Sequence, residues 1–164
     1  MTVAVAQRSL ISLFMVYIYF IFQVSVWNNA VIRGDGNYVR IKAFANIQDS
    51  VIISTASFLA GGVPAHVVIG RHSSIGAKSV LRSCVIENEC YIGERCIVQE
   101  GSVIEQGARL ASGTVVPPNT LIPAGTLYAG NPATFIKMLS YDEKVQFRKS
   151  DIDAFIIACF LHTF

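Results

Sequence analysis

At 164 residues and a formal net charge of +2, the chain has length for one domain with extensions. It has no dense Lys/Arg cluster of the kind nucleic-acid binding needs. Apolar residues make up 52% of it, and much of the excess sits at the two ends, in Leu10–Phe22 and Ala154–Leu161. The four cysteines, Cys84, Cys90, Cys96 and Cys159, include no CxxC pair. They read as buried free thiols in a reducing compartment, not as a disulfide frame or a metal cage.

Residues 1–23 form an apolar N-terminal extension. Its run Leu10–Phe22 is thirteen residues with one polar interruption, which is short for a membrane span. Three readings stay open for it: a segment packed on a partner or membrane surface, a strand or helix covering this domain, or a targeting signal. No small-residue cleavage site follows it.

A repeat with a period of six occupies residues 24–132. Every sixth residue from Ile86 is Ile86, Ile92, Val98, Ile104, Leu110, Val116, Ile122 and then Tyr128. Four places after each anchor stands a small residue, as in Cys90, Cys96, Ser102 and Ala108. Three places after the later anchors stand Gly101, Gly107, Gly113, Asn119 and Gly125. A period of six is neither the 3.6 of an α-helix nor the two of a long strand. It fits a short extended piece followed by a sharp turn, repeated. The anchor points into a narrow core, the small residue fits where the wall leaves little room, and Gly or Asn tolerates positive φ at the corner. Three such sides close a triangular coil, and the coils stack as a β-solenoid.

The register extends upstream through Ile41, Ile47, Ile53, Ile69, Ile75 and Leu81, with a five-residue step from Leu81 to Ile86. Between Ile53 and Val67 the pattern breaks, which predicts a loop leaving the solenoid. Residues 133–164 change character. Asn131-Pro132 ends the solenoid, and Ser140-Tyr-Asp-Glu143 is a capping box that predicts a helix from about Tyr141 to Phe160. The last part of that helix is apolar all round and calls for burial or a partner.

Three stretches together resemble gamma-class carbonic anhydrases: Trp27-Asn-Asn-Ala-Val-Ile-Arg-Gly-Asp35, Val39-Arg-Ile41 and Asn46-Ile-Gln-Asp49. The likeness continues through Val116-Pro-Pro, Ile122-Pro-Ala-Gly and Tyr128-Ala-Gly-Asn-Pro132. It implies an all-β fold, a left-handed parallel β-helix of hexapeptide repeats with a C-terminal α-helix. It also implies a trimer whose subunit interfaces each hold zinc on three histidines. The matching positions here are Ser54, Ala77 and Arg82. A methyl group donates nothing, a hydroxyl is a poor zinc ligand, and a guanidinium repels the ion. Neither His66 nor His72 falls on a ligand position. The expectation is a chain with no metal, no cofactor and no catalysis, because carbon dioxide hydration needs a metal-bound hydroxide.

Within that family, Ile75-Gly-Ala-Lys-Ser-Val-Leu-Arg-Ser-Cys-Val-Ile-Glu-Asn-Glu-Cys90 resembles the carbonic anhydrase-like subunits of mitochondrial respiratory complex I. The resemblance implies a heterotrimer with gamma carbonic anhydrase-type subunits, on the matrix side of the inner membrane against complex I membrane-arm subunits. The apolar termini are candidate lipid contacts. Arg33 and Asp35 match residues that make charged contacts across the trimer interface, and Gln48 and Asp49 match residues near the former site. Arg82 is expected to replace the lost metal charge by pairing with a carboxylate such as Asp49 or one from the adjacent subunit. Tyr128 and Asn131 also match positions near the site, against simpler roles as core end and turn. Two other functions remain to be tested: an active gamma carbonic anhydrase, and a hexapeptide-repeat acyltransferase with His66 as base.

Overall fold

The computed structural model describes residues 23–58 and 65–145 in full, together with the backbone of strands at 4–5, 12–14 and 18–20. Short strands follow one another in threes, one for each side of a triangular coil. The first coil holds β1 (Ala4–Val5), β2 (Ser12–Phe14) and β3 (Ile18–Phe20), and the second β4 (Ser25–Val26), β5 (Val31–Arg33) and β6 (Val39–Ile41). Next come β7 (Asn46–Ile47), β8 (Ile52–Ser54) and β9 (Val67–Ile69), then β10 (Ser74–Ile75), β11 (Val80–Arg82) and β12 (Val85–Ile86). The stack continues with β13 (Tyr91–Ile92), β14 (Ile97–Val98) and β15 (Val103–Ile104), then β16 (Arg109–Leu110), β17 (Val115–Val116) and β18 (Leu121–Ile122). It finishes with β19 (Thr126–Ala129) and β20 (Thr134–Met138).

Each strand from β1 to β16 pairs in parallel with the strand three places on. Sheet A has eight strands (β1-β4-β7-β10-β13-β16-β19-β20), while sheet B (β2-β5-β8-β11-β14-β17) and sheet C (β3-β6-β9-β12-β15-β18) have six each. The fold is the all-β parallel helix that the repeat predicts.

Packing follows the hexad. The anchors Leu81, Ile86, Ile92, Ile104, Leu110 and Ile122 are all 0% exposed and belong to one continuous core. The small residues line its corners. Ser79 Oγ donates to the Gly93 carbonyl at 2.9 Å and accepts from the Cys96 N–H at 3.1 Å, tying coils together where an aliphatic side chain would not fit. Free thiols fill equivalent places. Cys84, Cys90 and Cys96 are buried and unbridged, and desolvation pushes the Cys84 and Cys90 thiols up to about 12. Cys159 lies outside the described residues.

The corners hold one surprise. Gly101, Gly107, Gly113, Asn119 and Gly125 take positive φ as expected, but Phe44, Lys78, Glu89 and Arg95 do so too, with φ of 54–61°. A left-handed residue with a Cβ costs about 1–2 kcal/mol. Pairing between coils offsets that cost: the N–H groups of Phe44, Lys78, Glu89 and Arg95 reach carbonyls of the preceding coil at 2.8–2.9 Å.

Both ends of the solenoid depart from the sequence-based boundaries. Strands β1, β2 and β3 lie within the expected extension 1–23, yet they pair with β4, β5 and β6 and form a coil of the helix itself. The helix thus starts well before residue 24. After the Asn131–Pro132 turn the chain does not enter a helix directly. It doubles back as β20, antiparallel to β19. Helix α1 begins at 141 and is described to 145; the rest of the expected helix and the apolar tail lie outside the described residues. Its capping box is formed as predicted. Glu143 Oε2 accepts from the Ser140 N–H at 2.9 Å, and Ser140 Oγ accepts from the Glu143 N–H at 3.3 Å.

Candidate functional site

Sheet B carries the first group of candidate residues. In β5, β8 and β11 the middle residues Ile32, Ile53 and Leu81 are 0% exposed, so the alternation of a strand turns the last residue of each outward. Those last residues are Arg33, Ser54 and Arg82, and they are in register, Arg33 beside Ser54 and Ser54 beside Arg82. Neighbouring strands are about 4.8 Å apart. One column therefore presents guanidinium, hydroxyl and guanidinium on successive coils.

Each arginine holds a carboxylate. Arg33 Nη2 meets Asp35 Oδ2 at 2.7 Å, and Arg82 Nε meets Glu100 Oε1 at 2.7 Å. The Arg33 guanidinium holds the Asp35 carboxyl below its usual range. Both pairs stand in solvent, so they add little to stability, and their value lies in the pattern of charge they display.

The second group sits at the corner between sheets A and B. Ala77 lies in the turn from β10 to β11, and its N–H donates to Gln48 Oε1 at 3.1 Å. Asp49 Oδ1 accepts the Asn28 N–H at 3.1 Å. Gln48 and Asp49 thus fasten consecutive coils of their own chain. The structure brings Arg33, Asp35, Ser54 and Arg82 together and places Gln48, Asp49 and Ala77 apart from them, at the other end of β11.

One expectation needs correcting. Within the chain Arg82 does not pair with Asp49, which is engaged with Asn28; its partner is Glu100. Sequence reasoning missed Glu100, although a signal existed. Many side-chain contacts between successive coils join residues 17–19 positions apart, and Arg82 to Glu100 is such a step. So are Trp27 to Asn46, where Nε1 donates to Oδ1 at 2.8 Å, and Glu87 to Gln106, where Oε2 accepts the N–H at 3.0 Å.

The donor set does not fit zinc. Positions 54, 77 and 82 offer a hydroxyl, a methyl group and an ion-paired guanidinium. Among the described residues, no group of three or more His, Cys, Asp or Glu comes together where it could hold a metal ion. The two histidines among the described residues are used otherwise. His66 stacks on Tyr38 with ring centroids 4.8 Å apart, and His72 stacks on Phe44, also at 4.8 Å. The Nδ1 atom of His66 is buried without a hydrogen-bond partner. Tyr128 packs partly buried against the core and meets Phe135 edge-on at 5.8 Å. Asn131 stands in the turn between β19 and β20.

A family profile described as Dynactin subunit 5 matches residues 5–156. Gamma carbonic anhydrase-like 1, mitochondrial, of Arabidopsis thaliana is 54% identical over 125 residues, 76% of this chain and 50% of that protein. Gamma carbonic anhydrase 3, mitochondrial, of the same plant is 44% identical over 129 residues, 79% of this chain and 50% of that protein. The chain thus spans about half the length of the curated relatives it matches. Among solved structures, a hexapeptide transferase family protein from Anaplasma phagocytophilum superposes with a TM-score of 0.78 at 27% identity, covering 87% of this chain and 80% of that one. The chain therefore belongs to the family described as Dynactin subunit 5, and it is a hexapeptide-repeat β-helix homologous to the mitochondrial gamma carbonic anhydrase-like proteins.

Proposed function

We propose that the chain is a non-catalytic, structural subunit of the gamma carbonic anhydrase-like type. In this reading it packs with gamma carbonic anhydrase-type subunits as a heterotrimer and serves the assembly of mitochondrial respiratory complex I. It would sit on the matrix side of the inner membrane, against membrane-arm subunits, with the apolar termini available to lipid. Arg33, Asp35, Gln48, Asp49, Ser54, Ala77 and Arg82 are its interface and degenerate-site residues, with no catalytic group among them.

The single observation carrying the reading is the outward column on sheet B. Where an imidazole would be needed, Arg82 presents a guanidinium already bound to Glu100, beside the Ser54 hydroxyl. A permanent cation there disfavours a divalent ion, while the anchors beneath it remain fully buried. What is lost is the donor set, and what is kept is the scaffold. The likeness to proteins called gamma carbonic anhydrase-like and mitochondrial supports the compartment, and the description of the family as a subunit supports a role in a larger assembly.

The test is co-expression with an active-type gamma carbonic anhydrase subunit, followed by native mass spectrometry, zinc analysis and a carbon dioxide hydration assay. If each interface site draws on both neighbours, one copy of this chain disables two of three sites. The expected result is at most one zinc per heterotrimer, and no zinc or hydration from this chain alone. Stoichiometric zinc in the purified chain would overturn the reading in favour of an active enzyme. Removal of the chain should deplete assembled complex I on native gels.

A second reading, acyl transfer, is favoured by the superposition on a hexapeptide transferase family protein. Its base would be His66, whose Nδ1 is buried and unpartnered. Acetyl-CoA turnover abolished by His66→Ala would establish it.

A further inference from the structure

The three sheets finish differently at their C-terminal ends. Sheet B stops at β17, which runs straight into Pro117 and Pro118, and the later turn between β19 and β20 folds back over it. The Val115 N–H reaches the Gly130 carbonyl at 2.9 Å and the Ala133 N–H reaches the Val115 carbonyl at 2.8 Å. Sheet C stops at β18, which runs into Pro123. Proline beside a terminal strand removes a donor and blunts the edge. Two ends are thus protected.

Sheet A is not. It runs on to β20, which spends one edge on β19, and among the described residues nothing pairs with the other edge. All five residues of β20 are exposed, with Phe135 at 53%, Ile136 at 52% and Met138 at 63%. Tyr141 and Val145, one turn apart on α1, continue the patch at 80% and 48% exposed. Their exposed side chains amount to roughly 500 Å², taking about 150–250 Å² for a large one, which is at the upper end for an unpartnered monomer surface. Lysine ordinarily guards such an edge. Here Lys137 is the lysine, and its Nζ is bound to the Glu143 carboxylate that also caps α1. The guard is neutralised.

We propose that the free edge of β20 pairs antiparallel with β20 of a second copy, forming a two-fold dimer closed over Phe135, Ile136, Met138 and Tyr141. A strand paired antiparallel with its own copy is self-complementary, as a two-fold interface requires. It also satisfies the unmet backbone N–H and C=O groups, which a lipid surface would leave unpaired in hydrocarbon. The Lys137–Glu143 pairs approach as neutral units, so no bare ammonium groups face each other. About 1,000 Å² buried over both copies reaches the lower bound for a specific interface. The contact lies at the end of sheet A, while the Arg33–Ser54–Arg82 column lies on sheet B, so the dimer stands or falls independently of the heterotrimer proposed above.

The test uses the full chain in two measurements. Sedimentation equilibrium over a concentration series compares the native sequence, the double variant Ile136→Lys/Met138→Lys, and Ile97→Lys, which charges the exposed face of sheet B instead. Hydrogen exchange of the 134–138 amides is followed in the native chain over the same series. The expected result is a native dimer weakened at least about tenfold by the double variant and unaffected by Ile97→Lys, with exchange at 134–138 slowing as concentration rises. A native chain that is monomeric throughout overturns the proposal. So does association that survives the double variant, or exchange at 134–138 that ignores concentration.

Discussion

A methyl group added at Gly70 should damage the stack more than any change at Arg33, Ser54 or Arg82. A Cβ built there falls 2.3 Å from both the carbonyl carbon and the oxygen of Glu87 and 2.5 Å from the Asn88 nitrogen. All three are backbone atoms of the next coil and cannot swing aside. Ordinary contacts begin near 3.4 Å, so the two coils must part locally by about 1 Å. That same turn holds the Gly70 N–H to the Ile86 carbonyl at 2.8 Å, the Arg71 N–H to Asn88 Oδ1 at 2.9 Å, and Ser73 Oγ to the Glu87 carbonyl at 2.8 Å. Overpacking costs about 1–3 kcal/mol, and each hydrogen bond lost adds about 0.5–1.5 kcal/mol. With one or two bonds broken, Gly70→Ala should cost about 1.5–6 kcal/mol, a large part of the roughly 5–15 kcal/mol that holds a domain folded. Gly107→Ala is the control. Its φ is +68° with nothing within 4 Å of the added atom, so only the left-handed conformation is penalised, by about 1–2 kcal/mol. Urea unfolding of both full-length variants, read as midpoint shifts at constant slope, makes the comparison. A Gly70→Ala midpoint at or above that of Gly107→Ala would refute the close-approach reasoning.

Other outcomes follow from groups already described. Cys84, Cys90 and Cys96 should resist a disulfide reagent at pH 8 in the folded chain and react once it is denatured, because burial raises all three thiols. With Cys84 and Cys90 raised from 9.0 to about 12, stability should hold below pH 9.0 and fall as pH climbs from there towards 12; pH-dependent unfolding measures this. Lys137 and the Ser140 N–H hold the Glu143 carboxyl below its unfolded 4.5. The cap should therefore be complete above that pH and fail as pH falls through the lower folded value, a step in helicity that Glu143→Gln removes. Ser140→Ala should cost α1 about 0.5–2 kcal/mol, seen as lost ellipticity. Arg82→Ala should leave the stability of the isolated chain within about 0.5 kcal/mol, measured by denaturant titration, since its ion pair is solvent-exposed.

The solenoid was legible because its rule is simple and repeated. Ile86 to Ile122 keep step six by six, and each is buried where the count says. The five-residue step from Leu81 to Ile86 is taken up at Ser83, which turns with φ of 41° while Cys84 fills the corner. The first coil was not legible, since Leu10–Phe22 is apolar at nearly every position and hides the alternation that marks a half-buried strand. Strand β20 was hidden for the opposite reason: its five residues are all exposed, so no buried face imposes a period. Glycine spoke ambiguously. Gly107 and Gly113 signal a positive φ, whereas Gly70, Gly76 and Gly93 signal a coil pressed within 3 Å of any Cβ, and composition does not separate the two. Of the residues the motifs singled out, Arg33, Ser54 and Arg82 fall into one column of sheet B, but the Glu100 partner of Arg82 needed knowledge of the coil length.

In β5, β8 and β11 the residue that fills the core and the residue that faces outward are immediate neighbours in sequence but stand on opposite sides of the wall. Folding constrains Ile53 and Leu81; it places almost no demand on Ser54 or Arg82. Chemistry displayed on such an exterior can be erased one side chain at a time without loosening the tower that bears it. An ancestral enzyme built this way could give up its reaction and remain, intact, as a building block.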